Sequence, residues 1–138
     1  MRILAIDYGL SRTGVAVSDP TGLIASPLPH VPSKHFQPLL DGVSAYIDQY
    51  SPELIIIGMP CRTDGGESPM TEKVKNFAEA LGQLTDKPIR FVNEMYTTVI
   101  ASRMLHANEK KAKQQKQIID SAAAAVLLQG YIDGLKNV

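Results

Sequence analysis

The 138-residue chain has no surplus of charge, since fourteen Lys and Arg stand against fourteen Asp and Glu. Proteins that hold nucleic acid through their overall field carry a positive excess, so any such binding here must come from local charge. A single cysteine, Cys61, excludes an internal disulfide framework and suits a reducing compartment. By itself it reads as a small, partly buried hydrophobe in a loop. The longest apolar stretches, such as LIIIG and AAAAVLL, fall far short of the ~20 residues that span a bilayer. The opening MRILAIDYGL has one basic residue and only a short apolar run before Asp7, unlike a signal peptide. A cytoplasmic location without membrane attachment is therefore expected. His30, His35 and His106 show no ligand spacing and read as surface residues, and the chain has neither an internal repeat nor a low-complexity tail.

What is present is an ordinary globular composition, 44% hydrophobic and 20% charged, far from that of a disordered chain. The length fits one domain over residues 1–138 with a single core.

Ile3 to Ile6 is a short β-rich run, broken by Gly9 and resumed at Gly14-Val15-Ala16-Val17, which predicts two strands joined by a tight turn. A third strand is expected at Leu23 to Ser26. It should stop at the proline-rich segment from Pro27 to Pro32, where missing N–H donors discourage a central strand. Phe36, Leu39, Leu40, Val43 and Ile47 recur at helical spacing and predict an amphipathic helix. Leu54 to Ile57, ending at Gly58, looks like a parallel strand buried on both faces. After a polar loop from Pro60 to Glu67, Ser68 and Pro69 occupy the places of an N-cap and a first helical residue. Val74, Phe77, Ala78 and Leu81 continue as a helical stripe. Residues 88–92 read as another strand, Ala101, Met104 and Leu105 as the face of a shorter helix, and Glu109 to Gln117 as a lysine-rich loop. The alanine- and leucine-rich segment from Ile118 to Leu135 predicts a final helix. The order is that of an α/β domain with a mixed sheet.

Three acids stand apart from those on solvated faces. Asp7 directly follows the first strand, Glu94 follows the strand at 88–92, and Asp120 opens the last helix, where the helix dipole favours a carboxylate. If the first and last strands are neighbours, Asp7 and Glu94 converge. Three carboxylates on a rigid sheet and one helix suit Mg²⁺ or Mn²⁺, hard ions that prefer oxygen ligands. Two such ions about 3.5 to 4 Å apart activate water and stabilise the leaving oxygen in phosphodiester cleavage. Gly9 and Gly14 would let backbone approach a phosphate or an ion closely. The pattern Asp7-Tyr8-Gly9 with Gly14-Val15 also resembles the first phosphate loop of actin-like and sugar-kinase ATPases, but those enzymes enclose ATP between two such lobes and this length supplies one.

Taken together, Ile6-Asp-Tyr-Gly9 with Gly14-Val-Ala-Val-Ser-Asp19, Ile57-Gly-Met-Pro60 with Asp64-Gly65, Asn93-Glu94 with Thr97-Thr98, and Ile118-Ile-Asp120 running to Asp133 resemble the YqgF family. These are the RuvX-type Holliday junction resolvases and pre-16S rRNA nucleases, and the resemblance covers nearly the whole chain. It implies a ribonuclease H-like fold with a five-stranded mixed sheet flanked by helices, and an acidic triad of Asp7, Glu94 and Asp120. Asp7 would be the central ligand able to bridge two ions. It further implies substrate contacts from Gly9 and Arg12 in the first hairpin, from Arg62 in the glycine-containing loop, from Thr97 and Thr98, and from Lys110, Lys111, Lys113 and Lys116. Capping of a helix explains the threonines equally well, and a solvated loop the lysines. Family members commonly read Asp-Glu-Arg where this chain has Asn93-Glu94-Met95. The chain therefore lacks there the rigid bidentate phosphate fork of an arginine.

The expected activity is a metal-dependent nuclease trimming the 5′ end of pre-16S rRNA, with RNA ahead of branched DNA as partner and ribosomal precursor particles as context. A resolvase is the alternative enzyme and normally requires a two-fold dimer, whereas a monomer or weak homodimer is expected here. A nucleic-acid-binding module without catalysis is the alternative from another class; the three acids argue against it and the missing arginine for it.

Overall fold

Strand β1 (Ile3–Asp7) is buried on both faces, and everything else is arranged around it. A computed structural model of the chain describes residues 1–60, 69–93 and 121–136. The first hairpin adds β2 (Arg12–Ser18) antiparallel to β1, with Asp7 opposite Gly14, and β3 (Ala25–Pro32) antiparallel to β2. Helix α1 (Phe36–Tyr50) then carries the chain over one face to β4 (Leu54–Met59), which lies parallel to β1 on its other side. Helix α2 (Pro69–Leu84) leads to β5 (Ile89–Asn93), parallel to β4. The five-stranded sheet has the order β3-β2-β1-β4-β5, the mixed arrangement expected. Helix α3 (Ala122–Lys136) completes the described elements.

Alternation along the strands divides the core in two. Leu4, Ile6, Val15, Val17, Ile55 and Ile57 face α1 and α2, meeting Leu39, Val43, Phe77 and Leu81. Ile3, Ala5, Ala16, Leu54 and Ile56 face the other way, against Ala124, Ala125, Leu128 and Ile132 of α3. An apolar run without polar alternation at 54–57 was the sign of this two-sided cover, and β4 is indeed parallel to both neighbours. Pro69 begins α2 as its lack of an N–H predicts.

Three expectations change. The third strand runs through the prolines instead of ending before them, because β3 is the edge strand of the sheet and, among the described residues, pairs with β2 alone. An edge residue without an N–H forfeits no ladder bond on its open side. Leu23 and Ile24 are left exposed in the β2–β3 loop. Phe36, expected in the apolar stripe of α1, is the first residue of that helix and is 48% exposed. Finally, β1 and β5 are not neighbours, since β4 lies between them. The proposed helix at 101–105, the lysine-rich loop and the segment 118–120 lie outside the described residues.

The β2–β3 loop, at the sheet end remote from Asp7, is organised by Asp19. Its Oδ1 accepts from the N–H groups of Leu23 (2.8 Å) and Ile24 (2.9 Å), and its Oδ2 accepts from the Thr21 hydroxyl. Gly22 sits in the left-handed region at φ +73°, where a Cβ would also lie 2.6 Å from the Met1 carbonyl oxygen. The Thr21 hydroxyl, followed by the backbone donors, holds the Asp19 carboxyl well below the usual carboxylate range. A depressed native pKa means that the stabilisation is complete above the ordinary aspartate value, near pH 4, and is lost as pH falls toward the native one. Asp19→Asn should therefore flatten the loss of stability between about pH 4 and pH 2, as measured by urea midpoints across that range. An unchanged acid limb would show that Asp19 does not contribute to it.

Candidate active site at the carboxyl end of the parallel strands

Asp7 is the last residue of β1 and is half-buried. By alternation with Ile3 and Ala5 it falls on the α3 side of the sheet. Strands β1, β4 and β5 run parallel, so their carboxyl ends lie at one edge, where open α/β sheets commonly bind ligands. Ile6 pairs with Ile57, which sets Asp7 level with Gly58, and Gly58 pairs with Val92. Asn93, one residue further along β5, thus ends at the same edge as Asp7, two strands away. At the strand spacing of about 4.8 Å that separation is roughly 10 Å. Glu94 follows Asn93 in sequence.

The turn after Asp7 is fixed from both sides. The Gly9 N–H donates to Thr13 Oγ1 (3.3 Å), and its carbonyl accepts from the Ser33 hydroxyl (2.6 Å). The Ser33 N–H in turn donates to the Ser11 carbonyl (2.9 Å), joining the end of β3 to this turn. A Cβ on Gly9 would collide with the Arg12 carbonyl oxygen, so the tight hairpin requires glycine there. Arg12 is the first residue of β2, opposite Pro32, and is exposed.

The feature that residue patterns did not disclose is Ser121. It is fully buried, and its Oγ accepts from the Val15 N–H at 3.0 Å. The β2–β3 register shifts between Thr13 and Val15, which takes Val15 N–H out of regular pairing and leaves it for the hydroxyl. The Ser121 carbonyl accepts from Ala125 N–H (3.0 Å), so this serine also stands just ahead of α3. Val15 pairs with Ile6, next to the Asp7–Gly14 pair. The residue after Asp120 is thereby fixed beside the strand end that carries Asp7. A serine before an alanine-rich helix is a recognisable capping signal, but its bond to a bulged strand 106 positions away is not.

Of the residues singled out in the sequence, Asp7, Gly9 and Arg12 are therefore brought to one end of the sheet. Glu94, Asp120, Arg62, Thr97, Thr98, Lys110, Lys111, Lys113 and Lys116 lie outside the described residues, as does Cys61. Among the described residues no three His, Cys, Asp or Glu side chains group to hold a metal. No described helix is long and apolar enough to cross a membrane.

A family model described as "RuvX: Holliday junction resolvase" matches residues 1–134. The chain belongs to this RuvX family. A protein of Bacteroides fragilis is 41% identical over 135 residues, covering 96% of each chain. One of Halothermothrix orenii is 38% identical over 133 residues, covering 96% of this chain and 95% of the relative. Both carry the name "Putative pre-16S rRNA nuclease". Among solved structures, the Fowlpox virus resolvase with Holliday junction DNA superposes with a TM-score of 0.62 at 14% identity, covering 98% of this chain and 99% of that one. Thermus thermophilus RuvC superposes at 0.58 and 16% identity, with 99% and 97% covered. The RuvX chain thus has the ribonuclease H-like fold that the family resemblance implied.

Removing the Ser121 hydroxyl leaves the buried Val15 N–H without an acceptor. Ser121→Ala should cost about 1 to 3 kcal/mol, read from urea unfolding, and Ser121→Thr should recover part of it. A loss within about 0.5 kcal/mol, the size of an ordinary surface change, would mean that another acceptor replaces the serine.

Proposed function

We propose that this RuvX protein is a divalent-metal-dependent nuclease that hydrolyses phosphodiester bonds in the precursor of 16S rRNA, in the cytoplasm, with Asp7, Glu94 and Asp120 as its acidic centre. One observation carries the reading. Asp7, the residue before Glu94 and the residue after Asp120 belong to three elements that meet at one end of the sheet, each held there by backbone pairing or a buried hydrogen bond. The relatives' shared name supports the RNA precursor as substrate.

Carboxylate oxygens on a rigid scaffold fit hard ions such as Mg²⁺ or Mn²⁺, and a pair of them would supply nucleophile activation and charge neutralisation at the phosphate. Asp7 ends a strand that cannot shift without disturbing both core layers, so its carboxylate is presented in one position. The Gly9 turn, clamped by Thr13 and Ser33, keeps the chain after Asp7 in one conformation. Arg12 supplies positive charge two residues beyond Gly14, the partner of Asp7. Arg62, Thr97, Thr98 and the lysines at 110, 111, 113 and 116 are further substrate contacts in this reading.

The family description favours a second reading, cleavage of Holliday junctions. The two separate on incubation with labelled pre-16S rRNA, four-way junction DNA and unstructured RNA in Mg²⁺ or Mn²⁺. The expected result is cutting of the precursor RNA. Asp7→Asn should lower the rate by at least about 100-fold, roughly 2.7 kcal/mol of transition-state stabilisation, with the melting temperature little changed. Cleavage that survives Asp7→Asn would overturn the proposed centre, and cleavage confined to junctions would transfer it to a resolvase.

A further inference from the structure

Beside the Gly9 turn, on the side away from β4, the end of β3 and the start of α1 enclose an open cleft of about 480 Å³. Arg12, His30, Lys34 and His35 line it together with Ser11, and no carboxylate does so among the described residues. The chain as a whole balances fourteen cations against fourteen anions, so this local separation of charge is not a reflection of composition. The volume lies within the usual range of ligand sites, about 300 to 1,000 Å³, and far above what a lone ion occupies.

Helix α1 adds to the same field. Its N-cap is His35, which makes no side-chain capping bond, and its first turn holds no acidic residue. The positive end of the helix dipole is therefore left unneutralised where His35 and Pro38 form the cleft wall. Position decides what such a surface would meet. Arg12 pairs with Pro32 at the sheet end that carries Asp7, about two residues, roughly 7 Å, beyond the Asp7–Gly14 level. The Ser33 bonds to Gly9 and Ser11 hold cleft and turn in one rigid unit.

We infer that this cleft binds the phosphodiester backbone of the substrate strand flanking the bond cut at Asp7, with Arg12 and Lys34 as the principal phosphate contacts and His30 and His35 as supporting donors. The inference rests on the nuclease reading for the identity of the ligand, and RNA and DNA share the chemistry it requires. Each phosphate neutralised by a side chain releases condensed counterions, so the number of contacts is visible in the dependence of binding on salt.

The test uses the full chain carrying Asp7→Asn, with labelled pre-16S rRNA fragment in one arm and four-way junction DNA in the other, and binding measured from about 50 to 200 mM salt. Adding Lys34→Gln or Arg12→Gln should weaken binding in whichever arm the protein engages. Each should also reduce the slope of log K against log salt by about 0.7 to 0.9. Lys73→Gln, on the exposed side of α2, should leave the slope unchanged. In a chain that retains Asp7, Lys34→Gln should raise KM with kcat held, the pattern of lost uniform binding. Salt slopes unaltered by both cleft substitutions, or a protein that binds neither nucleic acid, would overturn the inference. Binding that depends on the cleft in a protein that cuts nothing would leave the cleft standing and fail the nuclease reading instead.

Discussion

Strand β1 has no face in water, and the rest of the structure follows from that constraint. Ile3, Leu4, Ala5 and Ile6 are each at most 1% exposed. Such a strand must be hydrogen-bonded along both edges and covered on both faces, because a buried backbone group without a partner costs as much as a lost hydrogen bond. β2 and β4 satisfy the edges, α1 and α2 cover one face, and α3 covers the other. The strand ends where the first polar side chain, Asp7, emerges from that enclosure. A carboxylate presented by the most constrained segment of the molecule has little freedom to move, which is what a centre for phosphoryl chemistry requires.

The far side of β1 is where chain economy is tightest. Helix α3 packs on this face in one buried cluster in which Ala124 and Ala125 join Ala5 and Ala16, side chains of little bulk. Two polar anchors then fix its position along the sheet. At its start, Ser121 accepts from Val15. At its middle, Gln129 accepts from the Ala25 N–H (3.0 Å) and donates to the Leu23 carbonyl (3.2 Å), tying the helix to the beginning of the edge strand. Apolar contact alone sets how close two elements lie but is tolerant of sliding; directed hydrogen bonds to backbone are not. Helix α3 is in this way indexed to β2 at its start and to the beginning of β3 at its middle, and the end nearer Asp7 is the one that follows Asp120.

The same economy explains how a chain without net charge can address a polyanion. Positive groups are collected at the β3–α1 corner, beside a helix N-terminus that carries no acid, while the acid proposed for catalysis stands on the α3 side of the sheet. The edge strand with its prolines gives the corner a backbone that need pair on one side only.

Much of this was legible in the residues themselves. Two-sided burial at 54–57, helical spacing from Leu39 to Ile47 and from Val74 to Leu81, and proline at the start of α2 are local signals. Each reflects a periodicity or a missing donor that acts within a few residues. Asp7 stood out for the same reason, as a polar residue closing a buried run. The family motifs added the fold and the triad proposed for it, because their order along the chain encodes an arrangement that no single segment contains. Only the tertiary structure decided the rest. The prolines of β3 read as a strand terminator until the sheet order made that strand an edge. Phe36 fitted the helical stripe, but it is the first residue of α1 and stays half-exposed. Ser121, an unremarked serine before a run of alanines, acquired its role from a register shift in β2. Exposure, edge position and long-range hydrogen bonding depend on which segments become neighbours, and that is settled by the packing of the whole core rather than by any stretch of sequence within it.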